Sequence, residues 1–117
     1  MERVLGIGGY SPRAGDPAVL SARYGGCLGL DADAHGLWRQ EAAPTVFAAF
    51  GSGTDSFGSR SRRAMLGYPA RDLDVMLDRL RAGGADVAQE TRAMAGVGRF
   101  GWVTDPDRNR VELCRPA

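Results

Sequence analysis

The residues able to do chemistry are few, and their types limit the chemistry. Glu112 stands between Val111 and Leu113 near the end of the 117-residue chain. Side chains alternate along a strand, so Glu112 shares a face with Arg110 and Cys114 and opposes Val111 and Leu113. If the apolar pair packs under helices, Glu112 points into the opposite space. A carboxylate there is partly desolvated, and its pKa rises unless an arginine pairs with it. It suits a general base or a ligand anchor. The plainer alternative is a structural carboxylate hydrogen-bonded to Arg or Trp.

Trp102 is expected on the same face. A turn centred near Asp107 makes it a cross-strand neighbour of Glu112, and Trp38 bears the same relation to Ala48. Two indoles lining one cavity suit an apolar or aromatic ligand, each with an N–H to donate. Ordinary core filling is the competing account. Arg60, Arg62 and Arg63 could clamp an anion bidentately or form a solvated edge. Arg99 is the candidate for the pocket rim.

Other chemistries find little support. His35 is the single histidine and sits in a turn beside Gly36, so triads that need a histidine base are disfavoured. Cys114 has no evident base beside it and reads as a passive thiol. All 15 basic residues are arginine, which removes Schiff-base chemistry and any lysine base. Gly6 and Gly8 are followed by Tyr10 and Pro12 rather than by a helix, so they make no dinucleotide fingerprint.

Composition sets the frame for these side chains. Apolar residues are 44% and charged residues 25%, with a net charge of +1. This is a globular composition, and the near-neutral balance disfavours a nucleic-acid partner. No apolar run approaches the roughly 18–20 residues of a membrane span. The first residues lack a signal-peptide layout, and two cysteines make neither a disulfide framework nor a Cys-rich zinc site. The expected setting is a reducing cytoplasm.

The elements that must position the candidates fall into two similar halves. A strand is expected over 4–11, a helix from the cap Asp16 to about Cys27, and strands over 37–41 and 45–50. The Gly/Ser-rich stretch 51–61 reads as a loop. Then a strand over 64–69 leads to a helix capped by Asp72 and closed by Gly83 and Gly84. An extended piece over 85–89 and strands over 99–104 and 110–114 complete the chain. Trp38 with Ala48 and Trp102 with Glu112 repeat one spacing, so an internal duplication is the economical reading. Glycines within the apolar runs imply a strongly bent sheet. The expected division is a single domain over 1–117: module one at about 1–52, the loop, and module two at about 62–117.

The closing segment, from Gly98-Arg99-Phe100-Gly101-Trp102 through Asp105-Pro106-Asp107-Arg108-Asn109 to Val111-Glu112-Leu113, resembles the end signature of the vicinal oxygen chelate superfamily. That group includes glyoxalase I, bleomycin-resistance proteins and extradiol dioxygenases. Asp16-Pro17 through Leu28-Gly29-Leu30, Trp38-Arg39-Gln40-Glu41, Thr45-Val46-Phe47 and Asp72-Leu73-Asp74 are similar to the same pattern, so the likeness spans the chain. It implies an α+β fold of two βαβββ modules curled into a cup with helices outside. It also implies a homodimer, and in active enzymes a divalent metal held from four strands. The four positions carry over to Gly9, Ala48, Met65 and Glu112. Glycine and alanine offer no ligand and methionine only a soft thioether.

The leading expectation is therefore a metal-independent protein binding a small apolar or aromatic molecule, for sequestration, resistance or sensing. Its pocket set is Trp38, Ala48, Phe50, Met65, Arg99, Trp102 and Glu112. The alternatives are a glyoxalase- or dioxygenase-type enzyme with a divalent metal at a non-standard site, and a metal-free enzyme using Glu112 as base.

Overall fold

In the computed structural model, residues 1–3 and 5–117 are described. Helix α1 spans Pro17–Leu28. Asp16 caps it through Oδ1, which accepts from the amides of Ala18 and Val19 at 3.1 and 3.2 Å. Pro17 fills the first turn, where its missing N–H costs nothing. Gly29 ends the helix in the left-handed region, at φ 70°.

Strand β1, Leu66–Pro69, leads to helix α2, Leu73–Ala82. Asp72 Oδ1 accepts from Val75 N at 3.0 Å and caps α2. Leu73, Leu77 and Leu80 form its buried stripe. Strands β2 (Asp86–Val87), β3 (Arg92–Met94), β4 (Gly98–Thr104) and β5 (Arg110–Pro116) follow. The sheet runs β1-β5-β4-β2, with β3 on the same edge of β4 as β2. β1 is parallel to β5, and β4 is antiparallel to its neighbours. The molecule is thus α+β, with a five-stranded mixed sheet and both helices on one face.

The core lies between that face and α2. Val103, Val111 and Leu113 pack against Leu73, Leu77 and Leu80, with Tyr24, Cys27, Leu28 and Tyr68 around them. Burying each leucine contributes roughly 1.5–3 kcal/mol. Gly101 lets α2 approach, since a Cβ there would meet Leu77 Cδ1 at 3.0 Å.

The second half follows its sequence pattern closely. Strand β3 was not expected, because Arg92-Ala93-Met94 shows too little alternation over three residues. The first half departs from expectation. Its helix forms, but residues 5–11, 37–41 and 45–50 make no strand; Val4, at the start of the first expected strand, lies outside the described residues. These segments pair with no strand, although β1 leaves one edge of the sheet open, and Leu5 and Phe47 remain 96% and 92% exposed.

A candidate ligand site on the open face of the sheet

Register builds the site. Trp102 on β4 lies directly opposite Glu112 on β5, and Gly67 on β1 lies opposite Glu112 on the other side. Val111 and Leu113 are buried under the helices, so alternation turns Glu112 to the face the helices leave uncovered. Trp102 Nε1 donates to Glu112 Oε2 at 3.2 Å. A Cβ at Gly67 would stand 3.7 Å from Glu112 Oε1, so the glycine leaves that oxygen's flank uncovered. Met65 directly precedes β1.

Electrostatics follow from partial burial. Desolvation raises the Glu112 pKa, while the Trp102 hydrogen bond and the nearby Arg110 charge oppose that rise. Arg110 lays its guanidinium over the Trp102 ring, with Cζ 5.2 Å from the centroid. Gly58, in the loop before β1, lies against the Arg110 stem, where a Cβ would be 3.6 Å from Cδ. Burial and the Glu112 charge also raise the Cys114 thiol pKa, which keeps it protonated and inert at neutral pH.

Of the expected pocket residues, the structure brings Trp102 and Glu112 together. It places Trp38, Arg99, Phe50 and Ala48 elsewhere. Trp38 packs on Tyr68, ring centroids 6.1 Å apart. Tyr68 belongs to the helix-side core, so Trp38 is on the wrong face to join Trp102. Arg99 shares its face with Gly101 and Val103 and is drawn to α2, where it donates to both oxygens of Asp74 at 3.1 and 3.2 Å. That pair lowers the Asp74 pKa and raises that of Arg99. Phe50 meets Phe57 at 5.3 Å within the loop region. Ala48 and Gly9 are exposed on irregular backbone, apart from the sheet. His35 is exposed in a turn, as expected.

Two features were missed. Arg110 was legible as a neighbour of Glu112 by alternation, but its stacking on Trp102 needs the cross-strand diagonal. The second is a clamp in the β4–β5 turn. Asp105 Oδ2 accepts from Tyr24 Oη at 2.8 Å and from Asn109 Nδ2 at 2.8 Å. Asp105 Oδ1 accepts from the amides of Asp107 and Asn109. Asp107 Oδ1 accepts from Gly15 N at 3.0 Å. The turn therefore holds α1 and the segment before it onto the sheet. A recess of about 280 Å³ lies on this helix side, lined by Tyr24, Cys27, Leu28, Leu80, Val103 and Val111 among others. None of the expected site residues lines it, and its walls are the edges of the helix packing.

Of the four positions the superfamily would use, Glu112 alone offers oxygen. Among the described residues no three His, Cys, Asp or Glu side chains converge on one point.

No family model matches this chain, and no curated protein matches it. Solved structures do. The genomically encoded fosfomycin resistance protein FosX from Listeria monocytogenes superposes with a TM-score of 0.67, at 17% identity over 98% of this chain and 96% of that one. A glyoxalase-related enzyme from Fulvimarina pelagi gives 0.51, at 19% identity over 86% and 81%. A member of the glyoxalase/bleomycin resistance protein/dioxygenase superfamily from Sphaerobacter thermophilus aligns over less than half of either chain, 44% and 43%, with a TM-score of 0.40 and 24% identity. The chain has the vicinal oxygen chelate fold, as its closing motif implied. At these identities the likeness extends to the fold. Among the described residues no helix is long and apolar enough to cross a membrane.

Proposed function

We propose that this chain binds a small apolar or aromatic molecule on the open face of its sheet, without a divalent metal, in a sequestration, resistance or sensing role. The observation that carries the reading is the Trp102–Glu112 pair beside Gly67. It offers an aromatic wall, one acceptor and an uncovered flank. Gly9, Ala48 and Met65 at the other three superfamily positions support metal independence, since such side chains cannot hold a hard cation. FosX is a fosfomycin resistance protein by name, and a resistance role here would be of the binding kind.

The working form in this reading is a cytoplasmic homodimer, each chain a single domain of two modules. Leu5, Ile7, Leu37, Val46 and Phe47 are exposed on backbone outside helix and strand. A second copy would cover this apolar surface and give the segments strands to pair with. Light scattering at micromolar concentration tests the dimer; a monomer there overturns it.

Ligand binding is tested by titrating a metabolite panel against Trp102 fluorescence in a Trp38→Phe variant. A saturable response is expected from at least one apolar compound. No response from any, or stoichiometric metal in protein purified without chelators, overturns the proposal. One observation favours a second reading. The raised Glu112 pKa suits a metal-free general base. In that case Glu112→Gln would abolish turnover of the bound compound and leave the fold intact.

A further inference from the structure

We infer that the recess on the helix side of the sheet is a second small-molecule site, taking a neutral aromatic compound of one or two rings. It lies across the sheet from the open-face site and does not rest on the reading proposed for that face. The recess holds about 280 Å³ between α1, α2 and the β4–β5 turn. An apolar cavity of ~150 Å³ holds a benzene, so this one has the size for a single ring or a fused pair. Its reachable walls are the half-buried Tyr24, Cys27, Leu28, Ala85 and Thr104.

The chemistry of the walls selects the ligand. The Tyr24 hydroxyl donates to Asp105, and the Asp105 oxygens accept three further bonds from their own turn. Thr104 is neutral. A charge carried inside would lose its water without gaining an ionic partner, a cost that a neutral molecule avoids. Asp86 and Arg23 line the recess with opposite charges and favour neither sign. Arg23 also donates to the Gly83 carbonyl at 3.5 Å. A ring is favoured over an alkyl group by the Tyr24 ring and the Cys27 sulfur, both of which pack well on aromatic compounds. The occupant is a small molecule rather than a protein. Among the described residues, none of the exposed large apolar side chains lines the recess, and its exposed members are Gly84, Asp86 and Pro106. A protein-docking surface would surround the mouth with an apolar patch.

The two cysteines report on the two faces. Cys27 lines the recess, and Cys114 shares the face of Glu112; both are free and half-buried. The full chain is alkylated with iodoacetamide, with and without indole, and each site is followed by peptide mass spectrometry. At an indole concentration about nine times its dissociation constant from calorimetry, the Cys27 rate is expected to fall about tenfold. Ala85→Met fills the recess with an adaptable side chain and should remove the response of Cys27 to indole. Benzyl alcohol should protect Cys27 better than cyclohexylmethanol does. Indole should protect it better than indole-3-acetate or tryptamine at the same concentration. Where Ala85→Met fails to fold by circular dichroism, the Cys27 rate in the parent chain decides alone.

An unchanged Cys27 rate up to the solubility limit of indole overturns the inference. Protection confined to Cys114 overturns it as well, and puts the ring on the open face instead. Protection of Cys27 that survives in folded Ala85→Met shows that the ring sits elsewhere, with the same consequence. Equal protection by cyclohexylmethanol overturns the aromatic assignment, and equal protection by either charged indole overturns the neutral one. A Cys27 rate that falls with protein concentration and no probe present shows a second copy over the recess and overturns the small-molecule occupant.

Discussion

Tyr24 Oη stands 2.8 Å from Asp105 Oδ2, a hydrogen bond that joins the helix of the first half to the turn that closes the second. Burial and this bond push the Tyr24 pKa far above its usual value, so the phenol is a donor at neutral pH. Asp105 accepts three further bonds within its own turn. The turn signature is therefore a joint between the halves as well as a reversal of the chain.

Removing the joint should loosen α1. Tyr24→Phe deletes one bond to a charged acceptor and should lower stability by roughly 1.5–3 kcal/mol. Asp105→Ala removes four bonds and should cost more. Urea denaturation followed by circular dichroism measures both. Equal stability of Tyr24→Phe and the wild type would show that the bond is solvent-exchangeable and carries nothing.

The C-terminal strand pair has a position that only glycine tolerates. Gly98 has φ +147°, and a Cβ there would collide with the Arg115 carbonyl oxygen and stand 3.1 Å from Pro116 Cα. Gly98→Ala should destabilise by about 1–3 kcal/mol, because backbone rather than a flexible side chain must give way. Gly96→Ala, with open space around its Cβ, isolates the cost of the backbone angle alone. The Gly98 change should lower the melting temperature further than the Gly96 change.

How much could be read beforehand follows from where the information is local. Asp16 and Asp72 announce their helices through capping chemistry, which acts within three residues. Val111-Glu112-Leu113 announces a strand and its faces through alternation. The pairing of Trp102 with Glu112 follows from one turn. Trp38 was misplaced because its site was carried over from the second half by analogy of spacing, and spacing conveys nothing when the strand does not form. Arg99 was misplaced although alternation already sets it, three residues from Trp102, on the opposite face; only its partner Asp74 lies beyond any local pattern. The Tyr24–Asp105 bond joins residues too distant in sequence for any local pattern to carry.

Glu112 makes stability depend on pH in a calculable direction. Its pKa in the folded protein lies above the ordinary carboxylate value of 4.5, chiefly because burial disfavours the charge. The folded state then holds the proton more tightly than the unfolded chain does. Stability from this group is fully present below the unfolded pKa and is lost as pH rises through the folded one. Glu112→Gln keeps an acceptor for Trp102 and removes the charge. It should raise the melting temperature at pH 7.5 and change it little at pH 4. A larger gain at pH 4 than at pH 7.5 would reverse the sign and show that Arg110 and Trp102 outweigh the burial.

Gly67 separates binding from folding. Its Cβ position is 3.7 Å from Glu112 Oε1, an ordinary contact distance, so Gly67→Ala should fold and bind nearly as the wild type does. Gly67→Leu extends a side chain across the Glu112 flank from β1, an edge strand with its side chain on the uncovered face. The sheet has room for it, since nothing packs there from the helices. Ligand affinity should then fall by about tenfold or more, an energy of roughly 1.4 kcal/mol, with the melting temperature close to that of Gly67→Ala. Calorimetry with whichever probe binds the parent chain reads the affinity. If Gly67→Leu binds as tightly as Gly67→Ala, the ligand does not approach Glu112 from this side, and the open face is not where it sits.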